Sequence, residues 1–170
     1  MEFDGTDDRL PANAVASVIT GEDVAHSRVV VCSPTSTAEM HPFGLGRSVS
    51  NTPLNTVAFA SNGQIIVNVR DNAGTEKFGY RGYYSLAQTI LFYATTGTAG
   101  FVALNGATTA TLDVDVGNIT LDTATVGAFI RIAAGGFFDG TISELIIYPS
   151  DQTANRQRIE GDINRHFGIF

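Results

Sequence analysis

The feature that most constrains the fold is a succession of short β-prone runs separated by turn-forming residues. Runs spaced about 8–12 residues apart, with Gly, Asn, Asp or Pro between them, are typical of β-sandwiches and barrels. The sequence therefore predicts an all-β chain built from two antiparallel sheets. The predicted strands are residues 15–19, 28–33, 56–61, 64–70, 86–94, 100–104, 110–116, 128–133 and 141–148.

Turn motifs and side-chain alternation support this prediction. Asn-Gly pairs within residues 61–63 and 104–106 favour the left-handed backbone of tight hairpins. After the first of these turns, Ile65, Val67 and Val69 take one face of a strand, with Asn68 and Arg70 on the other. Residues 129–132 alternate in the same way. This period of two indicates a sheet with one face in the core.

One helix is predicted at the end of the chain, over about residues 153–167. Ile159, Ile163 and Phe167 recur every four residues, which places them on one helical face. We expect that face to pack against the sandwich. The residues expected to point elsewhere are Arg156, Glu160 and Asn164.

Length and charge limit the classes of partner. The chain has 170 residues and no linker-like segment, so we expect a single domain over 1–170. Its net charge is −7, with 17 acidic and 10 basic residues, which argues against nucleic acid as a partner. Lys77 is the only lysine, so no polybasic segment is present for an anionic membrane.

The single cysteine, Cys32, excludes an intrachain disulfide. Its apolar neighbours predict a buried, unreactive thiol. The first residues lack the basic and apolar segments of a signal peptide. We therefore expect folding in a reducing cytoplasm.

Two segments carry a family resemblance. Residues 3–10 read Phe-Asp-Gly-Thr-Asp-Asp-Arg-Leu and resemble the first strand of laminin-G-like domains, which often begin F-D-G-x-D-D-x-L. Residues 138–148 are similar to the last long strand of these domains, and residues 156–169 to the terminal helix of bacterial and phage versions. The resemblance implies a concanavalin-A-like, laminin-G-like jelly roll whose first and last strands are neighbours.

Members of this class include glycan-binding, adhesion and virion proteins. The low charge and the content of Thr, Ala and Gly look most like phage tail or capsid-surface proteins. The leading prediction is a non-enzymatic virion protein (capsid decoration, head fibre or tail-associated), made in the host cytoplasm and located on the virion surface. Its partners would be other virion proteins or copies of itself in a homo-oligomer. The alternative is a glycan-binding adhesion module for cell-surface carbohydrate, and a less favoured third hypothesis is a glycoside-processing enzyme.

The aromatic stretch near the middle of the chain is the candidate ligand-binding site. Exposed tyrosines offer flat apolar surfaces with polar tips, and an arginine adds directional donors. The alternative is that these aromatics fill the sandwich or a subunit interface. The candidate residues are Tyr80, Arg81, Tyr83 and Tyr84.

Asp4, Asp7 and Asp8 are the candidate metal ligands, with calcium as the cation they could hold. The alternative is that they shape and solubilise the opening turn, because one short segment rarely supplies six to eight oxygen ligands. No cofactor is otherwise expected.

Catalytic patterns are not found. The E-x-D-x-x-E run of concanavalin-like glycosidases is missing, and Glu144 stands alone on its predicted strand. A glycosidase of the common two-carboxylate type needs both groups positioned across the bond. His26, His41 and His166 lack metal-ligand spacing. We therefore predict that the chain is not an enzyme.

Overall fold

The computed structural model describes residues 1–107, 110–112 and 115–170, with the side chains of Tyr80, Arg81 and Ala110 outside the description. The helices are α1 (Ala16–Ile19) and α2 (Arg156–Phe167), each directly preceded by a 3₁₀ turn (Asn13–Val15 and Thr153–Asn155). In chain order the strands are β1 (Glu2–Asp4), β2 (Leu10–Pro11), β3 (Gly21–Glu22), β4 (His26–Pro34), β5 (Met40–Gly46), β6 (Leu54–Phe59), β7 (Gln64–Arg70), β8 (Glu76–Tyr83), β9 (Thr89–Thr95), β10 (Gly100–Leu104), β11 (Ala110–Leu112), β12 (Asn118–Ile119), β13 (Thr123–Val126), β14 (Phe129–Arg131), β15 (Ala133–Gly135) and β16 (Asp139–Tyr148).

Two six-stranded antiparallel sheets form the sandwich. Sheet I has the order β1-β16-β4-β9-β10-β11, and sheet II has the order β2-β13-β5-β6-β7-β8. Two short ribbons, β3–β12 and β14–β15, complete the described strands. The predicted fold class, an all-β sandwich of two sheets with a C-terminal helix, is confirmed.

The main core lies between the inner faces of the two sheets. In β7, Ile65, Val67 and Val69 are at most 1% exposed, whereas the residues between them are partly exposed. Phe3 and Phe138 meet edge to face with ring centroids 6.2 Å apart. Burial of such apolar surface is the dominant favourable contribution to folding. The period-two pattern predicted for residues 64–70 is therefore confirmed.

The first and last strands are neighbours, as the family resemblance implied. Phe3 is opposite Gly140 in the antiparallel pair of β1 and β16. The pairing extends to Met1, whose carbonyl accepts a hydrogen bond of 2.9 Å from the Ile142 amide. Cys32, on the adjacent strand β4, is fully buried, and burial raises the pKa of its thiol.

Helix α2 packs on the outer face of sheet I. Ile163 is 6% exposed and joins an apolar cluster with Val29 and Phe92, while Ile159 and Phe167 lie at its edge. The prediction for this helical face is confirmed. Neither this nor any other helix of the described residues is long and apolar enough to cross a lipid bilayer.

The prediction that Arg156 and Glu160 point away from the sandwich is wrong. They are 6% and 1% exposed, and their side chains form a buried ion pair one helical turn apart. Arg156 also donates a hydrogen bond of 3.0 Å to the carbonyl of Ala107. The helix therefore buries a charged pair beside its apolar face.

The strand predictions differ from the structure at several places, among them residues 15–19 and strand β5. Residues 15–19 form the end of a 3₁₀ turn and the short helix α1 instead of a strand. Ala16 and Ile19 are buried three residues apart, which is helical spacing. Strand β5 was missed because Pro42, Gly44 and Gly46 lower its β propensity, yet the whole strand is buried.

Candidate functional site

The outer face of sheet II is a candidate ligand surface, because polar side chains line up there across neighbouring strands. Val67 and Val69 point into the core, so Asn68 and Arg70 point outward. Asn68 is opposite Thr56 on β6, and Arg70 is opposite Glu76 on β8.

The β14–β15 hairpin covers the adjoining part of this face. Its backbone rests directly on β5, where two glycines make room for it. A Cβ atom on Gly44 would lie 2.4 Å from Cβ of Phe129, and one on Gly46 would lie 2.1 Å from the Ile130 carbonyl oxygen. The hairpin therefore forms a wall beside the more open strands β7 and β8.

This wall brings Arg131 towards Arg70. The Arg131 guanidinium lies over the Phe129 ring, 5.0 Å from its centroid. Burial lowers the pKa of Arg131, and the positive charge of Arg70 lowers it further, while Glu76 and Glu39 act in the opposite direction. Two guanidinium groups thus act on the same region, which we call the arginine site: Thr56, Asn68, Arg70, Phe78, Thr125 and Arg131.

Within the described part of the chain, Arg70 is paired with a carboxylate and Arg131 is not. Arg70 forms an ion pair with Glu76, and both side chains are partly exposed. Its other terminal nitrogen donates a longer hydrogen bond, 3.4 Å, to the carbonyl of Asn51. No ion pair of Arg131 occurs among the described residues. The arginine site therefore holds one guanidinium group, that of Arg131, outside any ion pair of the described residues, with the carboxylates of Glu76 and Glu39 in the same region.

Several buried polar atoms of the site have no hydrogen-bond partner within the described part of the chain. They are Nε of Arg131, Oδ1 of Asn68, and the hydroxyl oxygens of Thr56 and Thr125. Buried polar atoms are normally hydrogen-bonded, so a cluster of exceptions needs an explanation. Thr56 and Thr125 are 0% exposed and beyond the reach of a ligand, whereas Arg131 and Asn68 are only partly buried. A guanidinium donor beside an amide suits a ligand that has both a carboxylate and hydroxyl groups.

His41 is buried against the β14–β15 hairpin, and its imidazole carries no positive charge. Its ring contacts Phe129 edge to face at 4.5 Å, and the residue is 4% exposed. Burial lowers the pKa of His41, although the nearby carboxylate of Glu39, 3.6 Å away, opposes this shift. The imidazole is therefore neutral at physiological pH, and it holds the hairpin aromatic in place.

The aromatic stretch predicted as the ligand site is divided by the structure. Tyr84 packs edge to face on Phe59 at 4.6 Å, and its hydroxyl donates a hydrogen bond of 3.2 Å to the Ala60 carbonyl. Tyr84 therefore agrees with the alternative prediction that these aromatic residues pack within the sandwich. Tyr83 is 75% exposed and stays a candidate contact. The side chains of the other two candidates, Tyr80 and Arg81, lie outside the described structure.

The three predicted metal ligands do meet at the opening turn. Carboxylate oxygens of Asp4, Asp7 and Asp8 lie within 4.8 Å of one another, and all three residues are exposed. Asp4 accepts backbone hydrogen bonds from Thr6 at 2.8 Å and from Asp7 at 3.4 Å. Asp8 accepts one of 3.2 Å from the Asp4 amide. These bonds fit the turn-shaping alternative, and calcium binding stays a prediction.

Sequence reasoning missed Arg70 and Arg131. Both lie inside predicted strands, residues 64–70 and 128–133, where the sequence marks them only as strand positions. They are far apart in the chain, so no local motif contains both. Two signals together could have identified them. One is an arginine at an outward-facing position of a strand whose other face is apolar, and the other is the order of the strands in the sheet.

Comparison with known proteins supports the fold. No protein-family model matches the sequence, and no curated protein matches it. Among solved structures, the CBM40 carbohydrate-binding module of the Ruminococcus gnavus IT-sialidase, bound to α2,3-sialyllactose, aligns with a TM-score of 0.77 and 16% identity over 92% of each chain. The K499G mutant of NanB sialidase from Streptococcus pneumoniae aligns with a TM-score of 0.74 and 17% identity over 92% of this chain and 26% of NanB.

A more distant neighbour is the heptameric SAP-like pentraxin of Limulus polyphemus. It has a TM-score of 0.65 and 15% identity over 92% of this chain and 78% of the pentraxin. At these identities the likeness shows a shared concanavalin-like β-sandwich. It does not by itself transfer a ligand to this chain.

Proposed function

We propose that the chain is a glycan-binding module that recognises a terminal acidic sugar of the sialic acid type at the arginine site. The observation that carries this proposal is that Arg70, on the outer face of β7, and Arg131, on the hairpin seated over Gly44 and Gly46 of the same sheet, lie on one side of the sandwich with buried polar atoms that have no partner in the described chain. A carboxylate fits between such groups, because guanidinium donors bind it with strong, charge-assisted hydrogen bonds.

The rest of the site suits the remainder of a sugar. Asn68 on β7 stands next to Phe78 on β8, whereas Thr56 in the same row is fully buried. The amide of Asn68 can exchange hydrogen bonds with sugar hydroxyls. Phe78 is 48% exposed and offers an apolar ring to the C–H face of a pyranose.

The structural neighbours favour the glycan-binding hypothesis over the virion hypothesis. The Ruminococcus gnavus module was solved with α2,3- and with α2,6-sialyllactose, whose terminal sugar carries a carboxylate. None of the neighbours described above is a virion protein. The glycan-binding alternative thus has support that the virion hypothesis lacks, and the virion-surface location and the homo-oligomer remain untested predictions.

We propose binding without hydrolysis. The carboxylate of Glu76 is engaged by Arg70, and Glu39 is 67% exposed at the side chain beside His41. The contact with His41 lowers the pKa of Glu39, whereas general-acid catalysis needs a raised carboxyl pKa. Prolonged incubation with sialyllactose should therefore release no sialic acid, and release of it by purified protein would contradict this part of the proposal.

Calorimetric titration with α2,3-sialyllactose and with lactose tests the proposal. The wild-type chain should bind the first and not the second. Arg131→Gln should weaken binding by about 10–100-fold, since hydrogen bonds to a charged group are each worth about 1.5–3 kcal/mol. Arg165→Gln is the matched control, because Arg165 is 78% exposed on α2, which covers the opposite face of the sandwich. Equal affinity for both sugars, or unchanged binding by Arg131→Gln, would disprove the proposal.

A further inference from the structure

Arg28 lies inside the sandwich, between the two sheets. It is on β4 of sheet I and is 3% exposed. Its terminal nitrogens donate two hydrogen bonds to Asn55 on β6 of sheet II, one of 3.2 Å to the backbone carbonyl and one of 2.5 Å to Oδ1. Asn55 is itself fully buried. A charged side chain therefore joins the two sheets across the core.

The positive charge of Arg28 has no counter-charge within residues 1–107, 110–112 and 115–170. The ion pairs found there all involve other basic groups. Burial lowers the pKa of Arg28 to about 10, so the guanidinium is still cationic at physiological pH. Burial raises the pKa of the neighbouring Tyr93 and lowers that of His26 to about 3, so both are neutral there. These neighbours therefore leave the charge of Arg28 unbalanced.

Aromatic rings beside the guanidinium compensate for only part of its burial. The Cζ atom of Arg28 lies 4.6 Å from the ring centroid of Tyr93 and 5.9 Å from that of Phe43. Such cation–π contacts stabilise a desolvated cation by less than the cost of taking the ion out of water. Buried charges in proteins are consequently paired. Arg28 needs a partner of negative charge.

Hydrogen-bond donors without partners in the described chain surround the guanidinium. They are Nε of Arg28 itself, Nδ2 of Asn55 and the hydroxyl of Tyr93. The Tyr93 hydroxyl is close enough to Arg28 and Asn55 for both to affect its pKa, yet it forms no hydrogen bond of regular geometry with either. Buried donors are normally satisfied, so this cluster requires an acceptor.

A small cavity adjoins these groups. Its volume is about 10 Å³, which suits a single small occupant such as a water molecule or a monatomic ion and excludes a carboxylate, sulfate or phosphate. Arg28 and Tyr93 are its polar lining residues. The others are apolar: Val30, Pro42, Phe43, Val57 and Leu91.

We propose that this cavity binds one halide ion, chloride in a physiological medium, as the counter-ion of Arg28. A water molecule would accept a hydrogen bond but would leave the charge unbalanced. It would also have to donate its own two hydrogens, for which the lining side chains offer only the phenol oxygen of Tyr93. The ion stabilises the contact between the sheets, and its site is separate from the arginine site on the outer face of sheet II.

Thermal unfolding in sodium chloride and in sodium gluconate of equal ionic strength tests the proposal. A ligand that binds only the folded state raises the melting temperature as its concentration rises. Above the dissociation constant, each tenfold increase in chloride should raise the melting temperature by about 3–5 °C relative to gluconate. Bromide should replace chloride. Identical melting curves in chloride and gluconate would overturn the proposal.

Matched variants assign the effect to this site. Arg28→Met removes the charge and keeps a long unbranched side chain, so the difference between chloride and gluconate should disappear. Arg165→Met, at an exposed position of α2, should keep the wild-type difference. Tyr93→Phe, which removes one donor, should weaken chloride binding about 10-fold or more and serves as the test if Arg28→Met does not fold. A wild-type response to chloride in Arg28→Met, or in Tyr93→Phe, would contradict the proposal.

Crystals of the wild-type protein grown in sodium bromide give a direct readout. The expected result is an anomalous bromine peak in the cavity, in contact with the Arg28 guanidinium. A cavity that contains a water molecule, or density without an anomalous signal, would show that Arg28 is buried without a halide partner.

Discussion

Two buried histidines are the residues whose ionisation most affects stability. His26 is fully buried, and its Nδ1 lies 3.0 Å from the Val24 carbonyl oxygen. Burial, followed by the positive charge of Arg28, lowers the pKa of His26 to about 3. Burial also lowers the pKa of His41. Both imidazoles therefore remain neutral in the folded chain at pH values where the unfolded chain protonates them.

The free energy of unfolding should consequently fall on acidification. Below pH 6.5 the unfolded state binds more protons than the folded state, so the stability contributed by neutral His26 is lost as the pH falls from 6.5 towards 3. The slope is about 1.4 kcal/mol per pH unit for each such histidine. Urea unfolding at pH 7, 6, 5 and 4 measures it.

Matched variants separate this effect from other acid-sensitive groups. His26→Gln should show a flatter decline than the wild type between pH 6 and pH 4. His166→Gln, at an exposed position of α2, should follow the wild-type curve. If His26→Gln declines as steeply as the wild type, His26 is not the group responsible.

At the scale of elements, α2 shows what a helical pattern can and cannot predict. The spacing of Ile159, Ile163 and Phe167 is enough to predict a docked face. The burial of Arg156 and Glu160 depends on the carbonyl of Ala107, which comes from a distant turn. A pattern within the helix contains no information about that partner.

Arg156→Ala should therefore destabilise the domain. It would leave the carboxyl of Glu160, 1% exposed, without its cation, and breaking a buried pair in this way costs about 3–5 kcal/mol. The double variant Arg156→Met, Glu160→Leu should recover most of the loss, because no buried charge remains. Thermal and urea unfolding measure both effects. Arg165→Ala should change stability by less than about 1 kcal/mol, since Arg165 and its partner Asp162 are exposed.

Similar destabilisation by Arg156→Ala and Arg165→Ala would show that the buried pair contributes no more than a surface pair. A double variant no more stable than the single one would point instead to the lost contact with Ala107.

The strands show the same division between local and distant information. Residues 64–70 alternate cleanly because one face of β7 is buried and the other is partly exposed. Strand β5 gives no such signal, since the core covers one of its faces and the hairpin covers the other. Its glycines, which look like turn residues in the sequence, are there to admit the hairpin.

For the molecule as a whole, the class of fold was predictable from turns, alternation and the motifs at both ends. The arginine site was not, because it exists only once strand order places β7 next to β8 and the hairpin brings Arg131 alongside. The three carboxylates of the opening turn lie within five residues of one another in the sequence, so a local turn is enough to bring them together. Their role as metal ligands stays a prediction.

The stability of the whole domain should not depend on a metal ion. Asp4 and Asp8 already accept backbone hydrogen bonds within the opening turn, so the turn has partners of its own. EDTA should shift the melting temperature by less than about 2 °C, which corresponds to less than about 1 kcal/mol for a domain of this size. A decrease of many degrees, reversed by calcium but not by the same ionic strength of sodium chloride, would show that Asp4, Asp7 and Asp8 hold an ion.

The helix and the arginine site lie on opposite outer faces of the sandwich. A support that held several copies by their helix side would present every arginine site in the same direction. For two linked sites the second attachment becomes intramolecular, and the combined strength can exceed that of one site by about 10²–10⁴. A low affinity of each site for its sugar would then be enough for strong but reversible adhesion. The density of sugars on the opposing surface would decide whether that adhesion forms.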